Sequence, residues 1–235
     1  MGQEIAAAAS KHAPTKGQLT RQTVARAAAD LASVVGLEGL SIAALADAVG
    51  MSKAGVYGHF GSKYELQLAA IESGRSVVRE TVFEPAMKAA PGVARLWALL
   101  ENFIAYDQAV VFPGGCMFAN CAAELDAQPG PLRAEMAKSF AKVVTLCADM
   151  IREAQAVGEL DAKADPQQLA FELIALHRSA AQMFRLDDDS SHFARARFAM
   201  AERLRPLLTD KAPGLPDVAI PKRRERVPGT PARGT

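Results

Sequence analysis

From Thr20 to Leu208 the apolar residues of this chain return every three or four positions, and nowhere do they alternate. A period near 3.6 marks one face of a helix, whereas a half-buried strand needs a period of two. The pattern excludes a sandwich, a barrel or an α/β sheet and predicts an all-α chain of about nine helices. Glycine and proline punctuate it at Gly36, Gly50, Gly58 to Gly61, Pro91-Gly92, Pro113-Gly114-Gly115, Gln128-Pro129-Gly130-Pro131, Gly158 and Pro166. Thr20, Ser41, Ser52, Ser62 and Asp165 stand where N-caps belong, and Pro166 suits a first helical position. Val93–Ala109 is apolar on most sides, as expected of a helix at the centre of a bundle.

Charge and cysteine usage narrow the function classes. With 235 residues, half of them apolar, the chain can bury a real core. A net charge of +1 excludes a polybasic protein, although Lys222-Arg223-Arg224-Glu225-Arg226 makes the end basic. Cys116, Cys121 and Cys147 match no zinc spacing, and His12, His59, His177 and His192 are scattered without a Glu-x-x-His pattern. No glycine-rich loop follows a strand. No catalytic residue, metal or cofactor is expected, so the chain reads as a binding protein rather than an enzyme. No apolar run approaches 18 residues and Met1–Ser10 lacks the pattern of a secretory signal, which predicts a soluble cytoplasmic protein with no membrane partner.

The stretch Ser41–Lys63, SIAALADAVGMSKAGVYGHFGSK, carries the chemistry. Two short capped helices meet at Gly50, with Leu45 of the first and Val56 of the second pointing inward. This describes a helix-turn-helix, in which one helix braces and the other enters the roughly 12 Å wide major groove. Ser52 as N-cap leaves the first backbone N–H groups of the second helix to meet a phosphate. Lys53 stands where such a helix first touches DNA, and Tyr57, His59 and Lys63 add donors along one edge.

Met51, Ser52, Lys53, Ala54, Gly55, Val56, Tyr57, Gly58, His59, Phe60, Gly61, Ser62, Lys63 and Leu66 resemble the DNA-binding motif of TetR-family transcriptional regulators, and the likeness covers residues 20–75. The segment Gly114–Arg133 is similar to one found in a branch of that family. The resemblance implies DNA contacts at Thr20, Arg21, Ser41, Ala44, Ser52, Lys53, Ala54, Gly55, Tyr57, His59 and Lys63. Two positions depart from the motif: Gly55 replaces the usual Thr, and Gly58 replaces an aromatic or basic residue. Each glycine costs about 1 kcal/mol of helix propensity relative to Ala. Base readout then rests on Lys53, on apolar contact to thymine methyls, and on Ala44 or Asp47 of the preceding helix.

The family pattern implies four regions: a flexible arm over 1–19, the DNA-binding domain over 20–80, a ligand-binding and dimerisation domain over 81–210, and a basic disordered tail over 211–235. Trp97, Phe103, Tyr106, Phe112, Met117, Phe118, Met183 and Phe184, with Asn120 and His177 as polar handles, have the composition of a pocket for a small apolar or amphipathic effector. Leu169, Leu173, Leu176 and Ala180 step by four and three as a heptad seam, and with Met200 and Leu204 they are the expected homodimer interface. The implied function is a ligand-responsive regulator, a repressor released from a palindromic double-stranded DNA operator. Ser62–Phe83 is the element expected to carry the effector's influence. Two other readings remain open: a thiol sensor acting through Cys116 and Cys121, and an interaction module with weak non-specific DNA binding.

Overall fold

The computed structural model describes residues 15–219, so Lys222–Arg226 of the expected basic tail, like the arm before Thr15, lies outside the described residues. The described chain is all-α. Its longer helices are α1 Lys16–Val35, α2 Ile42–Val49, α3 Lys53–Phe60, α4 Lys63–Val78, α5 Val93–Gln108, α6 Met117–Leu125, α7 Pro131–Ala156, α8 Pro166–Asp187 and α9 Ser191–Leu204. A π-helical turn, Arg79–Phe83, and a single α-turn, Glu84–Ala86, follow α4. The nearest approach to a sheet among the described residues is one isolated bridge between Leu160 and Leu208.

Local chemistry sets most helix starts. Ser41, Ser52 and Ser62 each accept the N–H three residues on, from Ala44, Gly55 and Glu65, at 3.1 Å. The first helix departs from expectation because it starts at Lys16 rather than after Thr20. Thr15 and Gln18 form a reciprocal capping box there, while the Thr20 hydroxyl donates back to the Lys16 carbonyl inside the helix.

The described chain divides into two compact units, and neither is contiguous: the residues up to Glu80 with Val110–Phe140, and Thr81–Ala109 with the residues from Ala141 on. One crossing falls between Glu80 and Thr81. Val110–Phe140, which chain order assigns to the C-terminal domain, clusters instead with the first eighty residues.

In the first unit α1 packs on α4 and α6 through a face of small residues, Ala25, Ala28, Ala29 and Ala32, which permits close approach of backbones. Polar bonds hold the 110–125 segment to α1. Arg26 donates to the Val111 carbonyl and covers the Phe112 ring, the Gly114 N–H donates to the Ser33 hydroxyl, and Asn120 donates to the Ser33 carbonyl at 2.7 Å. Arg75 of α4 grips the start of α7 through Ser139 and the Glu135 carboxylate.

In the second unit α8 packs on α9, and Leu169, Leu173 and Ala180 of the one and Phe193, Ala196, Met200 and Leu204 of the other are buried. Arg197 pairs with Glu101 at 2.9 Å and Arg203 with Glu172. The Glu159 carboxylate accepts the Val93 N–H at 2.7 Å, so a residue from a distant loop caps α5.

Candidate nucleic-acid interface

The helix-turn-helix is built from the inside outward. Leu45 and Ala46 of α2 and Val56 and Phe60 of α3 are buried with Leu37, Leu40 and Leu66. Gly50 closes α2 in the left-handed region (φ +64°), where glycine carries no Cβ penalty. Because the buried positions of α3 are Val56 and Phe60, its opposite side presents Lys53, Ala54, Tyr57 and Gly58 to solvent. Tyr57 is 54% exposed, large for an aromatic ring in a folded domain.

The eleven residues expected at DNA separate into two groups. Ser41, Ala44, Ser52, Lys53, Ala54 and Tyr57 are exposed on α2, α3 or their caps. Gly55 lies half-buried; a Cβ there would meet the Ser52 hydroxyl at 3.2 Å and the Met51 methyl at 3.3 Å, so the cap itself crowds this position. A Cβ at Gly58 would meet nothing within 4 Å, which leaves that position bare rather than packed.

The other group already has structural work. Arg21 donates through Nε to the His59 carbonyl at 3.2 Å and lies over the Phe60 ring, which braces α1 against the end of α3. Lys63 donates through Nζ to the Glu38 carbonyl at 2.6 Å. His59 packs edge-on to Phe60, and the Thr20 hydroxyl is engaged within α1.

The effector candidates do not gather in one unit. Phe112, Met117, Phe118 and Asn120 belong to the first: Phe112 lies under Arg26, Met117 and Phe118 abut Gly74 of α4, and Asn120 is bonded to the Ser33 and Gly114 carbonyls. Trp97, Phe103, Tyr106, His177, Met183 and Phe184 belong to the second. There His177 lies 2.6 Å from the Asp107 carboxylate and 5.1 Å from the Phe103 ring, and Phe184 packs on Phe193. Asp107 is one of two carboxylates on α5, and residue type alone does not separate it, buried, from the half-buried Glu101.

The expected dimer residues lie mostly in the interior of the chain. Leu169, Leu173, Met200 and Leu204 are fully buried and Ala180 nearly so within one chain. α8 packs on both α9 and α5, and only Leu176 of this set is half-buried, so the others are engaged inside the chain. The heptad pattern marks a buried face without saying which helix buries it. The apolar side chains that α8 leaves outside are Phe171, Met183 and Leu186, at 62%, 50% and 78% exposure.

Burial pushes the Cys121 and Cys147 thiols up to about 12, with the Glu124 charge adding to the effect at Cys121. Neither is a thiolate near neutral pH, the form that oxidants attack. No helix among the described residues is long and apolar enough to cross a membrane.

Residues 25–70 match the family model described as bacterial regulatory proteins, tetR family, and residues 92–200 match that described as tetracyclin repressor-like, C-terminal domain. A TetR transcriptional regulator from Chloroflexus aurantiacus J-10-FL is 28% identical with a TM-score of 0.76, over 82% of this chain and 98% of that one. A TetR-family regulator from Cytophaga hutchinsonii shares the fold at 21% identity and TM-score 0.72, over 85% and 100% of the two chains. AibR, solved with isovaleryl coenzyme A and operator DNA, shares it at 24% identity and TM-score 0.61, over 80% and 99%. A comparison with curated proteins returned no match.

Proposed function

The chain belongs to the TetR family of transcriptional regulators, and from that premise we propose that it is a homodimeric repressor that leaves a near-palindromic operator when a small molecule binds. The observation that carries the reading is the outward face of α3. A helix buried through Val56 and Phe60, capped by Ser52, presents Lys53, Ala54 and Tyr57 with the N–H groups of its first turn. That is the arrangement a recognition helix needs: a cation and a phenol for phosphates, helix-end amides for a phosphate, and a bare strip for the groove floor.

Two such helices need a two-fold partner to read two half-sites. The exposed Phe171, Met183 and Leu186 supply an apolar surface for it in place of the internal seam. An effector would act by binding better to the form whose recognition helices do not match the operator spacing, which is a shift of population rather than a push. The second unit, where Phe103, Tyr106, Asp107 and His177 combine apolar bulk with a polar pair, is the proposed seat of that effector. AibR, in complex with isovaleryl coenzyme A and operator DNA, supports the reading that this fold can hold a small molecule as well as an operator. The thiol-sensor reading loses ground because Cys121 is buried and its thiol is pushed up to about 12.

Selection of bound sequences from a random DNA pool at near-physiological salt tests the reading. Enrichment of a palindrome with half-sites about one helical turn apart is the expected result. Binding without enrichment, fading uniformly as salt rises, overturns sequence-specific repression and favours the non-specific interaction module.

A further inference from the structure

The turn between α1 and α2 is held from both sides. On one side the Glu124 carboxylate of α6 accepts two successive backbone N–H groups, from Leu37 at 2.7 Å and Glu38 at 3.0 Å. Consecutive amides converging on one anion form a small anion-binding concavity, and here the anion is a side chain 87 residues further along. Gly36 makes room for it: its φ is +77°, and a Cβ there would lie 2.4 Å from the Glu124 carboxyl atoms. On the other side the carbonyls of the same two residues accept from α4, Leu37 from the buried Gln67 amide at 2.8 Å and Glu38 from Lys63 at 2.6 Å. Leu37 itself is fully buried. Three residues later Ser41 starts α2, so the direction in which the helix-turn-helix leaves α1 is set at this turn.

We infer that Glu124 is a positioning residue for DNA binding: by fixing the Leu37–Glu38 amides it sets the angle at which α2 and α3 are presented. The inference rests on the reading of α3 as the DNA reader. A carboxylate suits the task because charge-assisted bonds to backbone N–H groups are short and strong, and two oxygens hold two amides at once. A neutral side chain with one acceptor holds only one of them. Cys121 and Asn120 on the same helix bond to the Ala32 and Ser33 carbonyls, which anchors α6 to the end of α1 and gives Glu124 a fixed base. A displacement of α6 would therefore reach the α1–α2 turn directly through this carboxylate, beside the Asn120 and Cys121 bonds to the end of α1.

The test compares full-length wild type with Glu124→Ala, Glu124→Gln and, as a control, Glu159→Ala. Glu159 performs the same service for Val93 in the second unit, so its loss measures what a comparable structural defect does to DNA binding. Three readouts are taken: amide hydrogen exchange at Leu37 and Glu38, melting temperature, and affinity for the selected operator against a random duplex. Glu124→Ala is expected to expose both amides and to weaken operator binding at least tenfold, with the preference over random DNA reduced. Glu124→Gln, which keeps one acceptor, should recover part of the affinity and also covers the case in which the alanine variant fails to fold. Glu159→Ala should lower the melting temperature while leaving operator affinity within twofold. Wild-type operator affinity in both Glu124 variants despite exposed amides overturns the inference, as does an equal loss of affinity in Glu159→Ala. Failure of wild type itself to select any operator is a different result and removes the functional reading beneath it.

Discussion

His177 Nε2 and Asp107 Oδ2 lie 2.6 Å apart in the apolar interior of the second unit, with both residues more than nine-tenths buried. A pair of this kind costs little while both members are present and much when one is removed, because the survivor keeps its desolvation penalty. His177→Leu is therefore expected to destabilise the protein by about 2–3 kcal/mol. The double variant Asp107→Leu with His177→Leu should recover most of that loss in urea denaturation. A double variant as unstable as the sum of the singles would show that the pair is not the unit of stability.

On the DNA face, Lys53 and Tyr57 are exposed whereas Lys63 is engaged by Glu38. Lys53→Ala should weaken binding on all sequences and lower the salt slope by about one. Tyr57→Ala should weaken the operator complex without changing the melting curve. Lys63→Ala should leave the salt slope unchanged and act instead through the α1–α2 turn. A salt-dependent titration of all three variants separates these outcomes.

Substitutions on α8 distinguish its two faces. Leu173→Asp places a charge in the seam against α9 and should prevent folding altogether, a loss well above about 4 kcal/mol. Phe171→Asp and Leu186→Asp should leave the helical circular dichroism intact and give monomers in sedimentation velocity. Persistence of a dimer in the double surface variant would move the interface to another face.

Acid stability follows from three carboxylates. Hydrogen bonds from Lys138 and then Arg75 hold the Glu135 carboxyl below its usual 4.5; Gln168 and then Arg203 do the same for Glu172, and the Ser191 backbone N–H lowers Asp189 below 3.8. A carboxyl lowered in the folded state contributes stability above its unfolded pKa and loses it as pH falls through the folded value. The urea midpoint should accordingly be flat for these groups above about pH 5 and decline below 4.5. Glu135→Gln should flatten part of that decline.

The buried thiols give a fifth check. At pH 8, Cys121 and Cys147 should resist iodoacetamide in the native protein and react on unfolding, since burial keeps them protonated. Rapid native labelling of Cys121 would revive the thiol-sensor reading.

Much of the molecule was legible without coordinates because the signals are local. A serine three residues before a free N–H, a glycine at a left-handed position and an apolar residue every three or four places act within one or two turns of chain. The helices, the caps at Ser41, Ser52 and Ser62, and the inward Leu45 and Val56 could all be read from those signals. Thr20 offers the same residue type as Thr15 nearer the first apolar position, and Gln18, three residues after Thr15, is what distinguishes the true cap.

What required the tertiary structure is the identity of each partner. The Leu169–Ala180 stripe announces that a face is buried, and the packed chain sets α9 and α5 against that helix. Arg21 and Lys63 have the chemistry of phosphate ligands, and only the packed chain sets the carbonyls of His59 and Glu38 beside them. Glu124 and the Leu37 amide are 87 residues apart, and a backbone N–H carries no residue type by which a sequence could name its acceptor. Periodicity and capping are short-range and written in side chains, so the sequence alone determined an all-α chain with a helix-turn-helix near its start. Long-range hydrogen bonds to the main chain leave no such mark, and only the packed chain decided how that motif is held.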